Sequence, residues 1–86
     1  MPTICIFYGI VIRMFFDEHS PPHFHAQYGE YKASIRIEPL ELLEGQLPRR
    51  ALGLVMDWAE FHHDELLRDW ELCRSHQQPR RIDPLK

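Results

Sequence analysis

The stretch HFHAQYGEYKASIRI, residues 23–37, decides the fold of this chain. Apolar and polar side chains alternate on both sides of Gly29-Glu30, and a period of two is that of a half-buried β-strand. A two-residue connection that begins with glycine suits a type II′ turn, which joins neighbouring antiparallel strands. The stretch therefore predicts a β-hairpin.

The turn also predicts which residues of the two strands face each other. Pairing runs outward from Tyr28 and Tyr31, and successive side chains point to opposite faces. One face is then apolar, with Phe24, Ala26, Tyr28, Tyr31, Ala33 and Ile35. The other face is polar and pairs His23 with Arg36, His25 with Ser34 and Gln27 with Lys32, and Arg13 of the preceding strand could join it. A slip of one residue would exchange the two faces.

The segments around the hairpin complete an α+β pattern. Residues 3–7 and 10–16 are rich in Ile, Val and Phe and predict two strands, and residues 40–44 predict a short final strand. The loop at residues 17–22 contains Ser-Pro-Pro, which excludes a central strand or helix there. We therefore expect a small antiparallel β-sheet of four to five strands.

A C-terminal helix is predicted from about residue 49 to about residue 75. Mostly apolar residues recur there at three- and four-residue steps: Leu52, Val55, Ala59, His62, Leu66, Trp70 and Cys73. Asp64 could cap a second segment, so a kink near His62 is compatible with the pattern. The helix should cover the apolar face of the sheet.

Length and composition indicate one domain over residues 1–86, with an irregular tail at residues 79–86. The chain has no apolar run of about 18 residues, so no membrane span is expected and the cytoplasm is the default location. Cys5 and Cys73 form no CxxC motif, which disfavours a zinc ribbon or a redox pair. A net charge of −3 does not indicate a generic nucleic-acid binder.

The polar face of the hairpin carries the first functional hypothesis. Arginine recognises phosphate through two parallel hydrogen bonds, and histidine exchanges protons near neutral pH. His23, His25 and Arg36 are therefore candidate base, acid and charge stabiliser for metal-independent RNA cleavage. Arg13 and Lys32 are candidate phosphate-binding residues. The competing interpretation is an ordinary solvated sheet face.

A metal site is the alternative use of the same histidines. His23-x-His25 places two imidazoles on one side of a strand, and His19 in the loop could be a third ligand. Zinc or another transition metal accepts imidazole well. No acidic residue joins at a recognised ligand spacing, although Asp17 and Glu18 are near. Unless this alternative holds, no cofactor is expected.

Several motifs resemble one bacterial family. They are Pro2-Thr3-Ile4, Phe7-Tyr8-Gly9-Ile10, Arg13-Met14, Pro21-Pro22-His23-Phe24-His25-Ala26 and Tyr28-Gly29-Glu30-Tyr31, with Leu47-Pro48, Ala51-Leu52, Asp57-Trp58, Glu65-Leu66 and Trp70 in the helical half. Together they resemble the domain of unknown function 4160 family. The resemblance implies small cytoplasmic accessory proteins, often encoded beside another small protein as in a toxin–antitoxin or regulatory pair. It assigns no catalytic residue.

Three functions therefore stand as hypotheses. The first is a small cytoplasmic bacterial protein of a toxin–antitoxin-like or regulatory pair that contacts RNA or a partner protein through the polar His/Arg face. The second is a protein–protein interaction module without catalysis, which pairs with a protein encoded nearby or forms a homodimer through a strand edge or the helix. The third is a metal-binding protein. The sequence leaves open whether the chain is an enzyme.

Overall fold

The computed structural model describes residues 2–86 and contains five strands followed by two helices. The elements in chain order are β1 (Thr3–Phe7), β2 (Ile10–Arg13), β3 (His23–Tyr28), β4 (Tyr31–Arg36), β5 (Glu41–Gly45), α1 (Arg49–Phe61) and α2 (His63–Arg74). The strands form one open antiparallel sheet in the order β1-β2-β3-β4-β5. The predicted α+β class and the five-stranded antiparallel sheet are confirmed.

The hairpin of β3 and β4 has the predicted register. Tyr28 pairs with Tyr31, and the pairing continues to His23 opposite Arg36 without a shift. Gly29 has a φ of +59°, the left-handed value that the first central position of a type II′ turn requires and that glycine adopts without steric cost. The alternation of apolar and polar residues in β3 therefore determines which face of the sheet His23 and His25 occupy.

Two elements differ by more than one residue from their predicted bounds. β2 ends at Arg13, which pairs with Thr3, the first residue of β1, instead of continuing to residue 16. One backbone hydrogen bond follows, from the N–H of Met14 to the carbonyl of Pro2 at 3.1 Å. The single predicted helix is two helices, which meet at His62. His62 has a φ of −108° and a ψ of 29°, outside helical geometry, so the kink near this residue is a complete break.

Aromatic side chains join α1 to the sheet. The ring of Trp58 lies 5.4 Å from that of Phe7 and 5.9 Å from that of Phe24, between centroids. All three are buried, together with Ile4, Ile10, Ile12, Ile35, Val55 and Leu66. The apolar face that alternation predicted is therefore the one in contact with α1.

The C-terminal tail has neither helix nor strand, yet it is fixed to both layers. The backbone N–H of Ile82 donates to the carbonyl of Ile4 in β1 at 2.8 Å, and the side chain of Ile82 is buried. The indole N–H of Trp58 donates to the carbonyl of Asp83 at 2.8 Å. No helix among residues 2–86 combines the length and the apolarity needed to cross a membrane.

Candidate functional site

The polar face of the sheet brings together side chains from three adjacent strands. Arg13 of β2 lies opposite His25 of β3, and His25 lies opposite Ser34 of β4. One step along the strands, Gln27 lies opposite Lys32. Because strand side chains alternate, these five side chains share the face turned away from Trp58 and the core.

This face encloses a cavity of about 510 Å³, open to solvent. Its walls are polar and apolar groups of β2 to β5 and of the residues that follow β2: Val11, Arg13, Phe15, His25, Ala26, Gln27, Lys32, Ala33, Ser34, Glu44 and Gly45. Both predicted phosphate-binding residues, Arg13 and Lys32, and one predicted catalytic residue, His25, thus line one cavity. We call it the sheet cavity.

The two cations of the sheet cavity have no acidic partner within the described part of the chain. Arg13 donates from Nη1 to Oε1 of Gln27 at 2.8 Å, which orients the guanidinium and leaves its other N–H groups free. Neither Arg13 nor Lys32 forms a salt bridge with any residue between 2 and 86. Glu44 lines the cavity as its acidic residue. The cavity therefore offers two cationic groups to an anion.

The third predicted catalytic residue, Arg36, is engaged elsewhere. Its guanidinium forms a salt bridge with Glu41, and its Nε donates to the carbonyl of Pro39 at 3.0 Å. Arg36 does not line the sheet cavity. The register places it beside His23, but its hydrogen bonds direct the charged group toward the loop before β5.

The two histidines of β3 converge on one carboxylate. Nε2 of His25 is hydrogen-bonded to Oε1 of Glu18, and Nε2 of His23 lies 3.4 Å from the same oxygen. The two imidazole rings are 5.1 Å apart between centroids. One ligand atom from each of the three residues lies within 4.8 Å of the others. We call this group the His–Glu cluster.

Glu18 is the member of the cluster that sequence reasoning missed. The sequence pattern predicts His19 as the third member, but His19 is exposed and lies outside the cluster. The only signal in the sequence is that an acidic residue stands five positions before the His-x-His pair. This signal is weak, because the sequence does not predict the path of the loop that carries Glu18. The loop folds back so that Glu18, not His19, reaches β3.

The two histidines at the junction of α1 and α2 have acidic partners away from β3. His62 is buried, with Nδ1 2.6 Å from Oε1 of Glu65, as expected of a satisfied core histidine. Nε2 of His63 lies 2.6 Å from Oε1 of Glu38. Neither belongs to the His–Glu cluster.

One family model matches this chain, that of a domain of unknown function (DUF4160), over residues 9–71. The comparisons with curated proteins and with solved structures found no match. The matched range includes β2 to β5, α1 and most of α2, and with them the sheet cavity and the His–Glu cluster. Since the match covers well over half of the 86 residues, the chain belongs to the DUF4160 family.

Proposed function

We propose that this protein is a small cytoplasmic bacterial protein that contacts RNA phosphates through the sheet cavity, as one member of a toxin–antitoxin-like or regulatory pair. The observation that carries the proposal is the placement of Arg13 and Lys32 on one concave face, without an acidic partner among residues 2–86. A pair of free cations in a concavity attracts an anion more strongly than the same charges on a convex surface do.

Single-stranded RNA fits this face better than a duplex does. Sheet surfaces bind unpaired nucleotides by stacking bases on exposed rings and by pairing phosphates with basic side chains. Phe15 lines the cavity beside His25, with ring centroids 4.5 Å apart, and offers such a ring. The cavity volume of about 510 Å³ lies within the range of small-ligand sites.

His25 is the residue best placed for proton transfer on a bound nucleotide. It lines the cavity, and its ring is held on both sides, with Nδ1 3.3 Å from Oγ of Ser34 and Nε2 at Glu18. His23 is its neighbour and a candidate for the second proton-transfer role, with Arg36 as the more distant candidate for charge stabilisation. Arg13 is nearer to His25 in the register than Arg36 is.

The test of RNA contact is a salt titration. Binding of a labelled single-stranded RNA should weaken in Arg13→Ala/Lys32→Ala, and the slope of log K against log salt should fall by about 1.4, or about 0.7 for each lost phosphate contact. Arg68→Ala removes an exposed arginine of α2 and is the matched control. Equal affinity and equal slope in the double variant and the wild type would contradict the proposal.

Cleavage is tested separately on the same RNA, in the presence of a chelator. His25→Ala should abolish cleavage while the melting temperature shows that the fold is retained. Cleavage that continues in this variant would remove His25 from the catalytic assignment. RNA binding without cleavage in the wild-type protein would restrict the function to recognition.

A protein-interaction role is the second candidate, and a specific observation favours it. β5 is the last strand in the sheet order, so one of its edges has no neighbouring strand among residues 2–86, and Leu43 on it is 40% exposed. An exposed strand edge can accept a strand from another chain. Leu43→Lys should then prevent co-purification with the protein encoded nearby, or homodimer formation, whereas Glu30→Lys at the hairpin turn should not. Retention of the complex in Leu43→Lys would exclude this edge as the interface.

A further inference from the structure

We infer that Glu18, His23 and His25 form a binding site for one divalent transition-metal ion, with zinc as the ion that their ligand atoms suit best. This site goes beyond the proposed RNA contact and does not depend on it, and with an ion bound His23 and His25 would act as ligands and not as proton-transfer groups. It differs from the ligand set expected from the sequence, because a carboxylate replaces His19.

The hydrogen bonds of His23 show why a cation belongs there. Nδ1 of His23 lies 2.8 Å from the carbonyl oxygen of Pro21, and because a carbonyl only accepts, Nδ1 carries the proton. In the neutral ring Nε2 is then an unprotonated acceptor. It faces the carboxylate of Glu18 at 3.4 Å, and an ionised carboxylate is also only an acceptor. Two facing lone pairs repel each other unless a metal ion or a second ring proton lies between them, and the zinc titration below distinguishes the two.

His25 also turns Nε2 toward Glu18, and it can carry its proton on either nitrogen, because the Ser34 hydroxyl beside Nδ1 can donate or accept. Its Nδ1 lies 3.3 Å from Oγ of Ser34, and its Nε2 points to Oε1 of Glu18. A metal-binding histidine usually donates its second ring N–H to a carbonyl or another oxygen, which fixes the tautomer and the ring plane. Pro21 and Ser34 supply such partners to His23 and His25.

The separation of His23 and Glu18 suits a single ion, and Nε2 of His25, which is hydrogen-bonded to the same carboxylate oxygen, would move apart from it to share the ion. Two atoms that each bind a tetrahedral zinc ion at about 2.0 to 2.1 Å are separated by about 3.4 Å. The separation between Nε2 of His23 and Oε1 of Glu18 is 3.4 Å. Two imidazoles and one carboxylate are a known zinc ligand set that leaves a coordination position for water or substrate. Magnesium and calcium prefer oxygen ligands throughout, so these ions do not fit.

The surroundings hold the ligands in place. The side chain of His23 is 12% exposed, and its ring lies 5.2 Å from that of the buried Trp70 of α2. The side chains of His25 and Glu18 are 29% and 27% exposed, so the cluster is shielded from bulk water yet reachable by an ion. Such partial burial strengthens the attraction between an ion and its carboxylate ligand.

The experiment uses untagged full-length protein, stripped with a chelator and titrated with zinc alone. Elemental analysis should find one equivalent of zinc, and at free zinc 100 times the Kd the melting temperature should rise on the order of 10 °C. Because Trp70 adjoins His23, cobalt in place of zinc should quench tryptophan fluorescence at the same stoichiometry. Magnesium should produce none of these effects.

Three variants decide the ligand set. Glu18→Gln changes a loop side chain and keeps its size, so the fold should be unaffected, and the affinity for zinc should fall at least about tenfold. His25→Ala should lose stoichiometric binding, and its melting temperature without metal reports whether it is folded. His19→Ala should bind as the wild type does.

The inference is overturned by any of three results. The first is no stoichiometric zinc in the wild type at micromolar free metal, which would make the cluster an imidazolium–carboxylate pair only. The second is wild-type affinity in both Glu18→Gln and His25→Ala. The third is a loss in His19→Ala as large as that in Glu18→Gln, which would return the third position to His19.

Discussion

Oδ1 of Asp69, in α2, accepts a hydrogen bond from the backbone N–H of Arg80 in the C-terminal tail at 2.9 Å. Asp69 is buried, and its other carboxylate oxygen, Oδ2, has no hydrogen-bond partner among residues 2–86. Burial raises the pKa of the Asp69 carboxyl above its ordinary value, and the Arg80 N–H offsets part of that rise. The hydrogen bond therefore joins the tail to α2, but it leaves a buried carboxylate with only one of its two oxygens hydrogen-bonded, and this lowers stability.

The stability contribution of Asp69 should depend on pH. Because its folded-state pKa lies above its unfolded value, the folded state binds the proton more tightly, and the stabilisation is full below the ordinary carboxyl value of 3.8. It is lost as the pH rises through the folded-state pKa. Asp69→Asn keeps the acceptor for Arg80 and removes the charge. The melting temperature of the variant should therefore increase relative to that of the wild type as the pH rises from 4 to 7. A constant difference across this range would contradict the assignment, and Asp57→Asn, at an exposed site, is the control.

Gly45 should tolerate no side chain. Its φ is +77°, and a Cβ there would lie 2.1 Å from the carbonyl oxygen of Lys32 on the neighbouring strand. Gly45→Ala should therefore lower the free energy of unfolding by at least about 2 kcal/mol. Gly53, exposed in the interior of α1, is the matched control, because a Cβ there would meet no atom within 4 Å and Gly53→Ala should stabilise by about 0.5 to 1 kcal/mol. Urea denaturation measures both, and equal effects would refute the steric argument.

Ile82 should contribute to stability although it lies in the irregular tail. Ile82 is 4% exposed and belongs to the core cluster, and its backbone N–H donates a hydrogen bond to the carbonyl of Ile4. Ile82→Ala should cost about 2 to 4 kcal/mol, the range for a large-to-small change in a core. The neighbouring exposed Arg81→Ala should change stability by less than about 0.5 kcal/mol. A melting temperature for Ile82→Ala equal to that of the wild type would show that the tail is detached in solution.

Both cysteines should resist thiol reagents in the folded protein. Cys5 and Cys73 are buried, and desolvation raises the pKa of Cys73 to about 11, so the reactive thiolate is scarce at neutral pH. Burial is also the main cause that raises the pKa of Cys5. A disulfide reagent should react with neither thiol in the native state and with both thiols in urea. One rapid equivalent under native conditions would show that one thiol is accessible.

The sequence by itself determined the features that depend on near neighbours. The glycine turn at Gly29 and the alternation of residues 23–36 determined the register of β3 and β4, and with it the face of His23, His25 and Lys32. Period-two and period-3.6 patterns are local, so the strands and the helical region could be predicted. A kink near His62 was predicted from the sequence, but its stated reason was wrong, because Asp64 lies in the first turn of α2 and does not cap it.

Only the tertiary structure decided which distant groups meet. Glu18 reaches the histidines because its loop folds back over β3, and Arg36 turns to Glu41 because β5 pairs with β4 at that position. The tail is held to β1 by the hydrogen bond from Ile82 to Ile4, and to α1 by the hydrogen bond from Trp58 to Asp83. Loop paths and side-chain pairing depend on the packing of the whole chain, and no periodic pattern in the sequence encodes them.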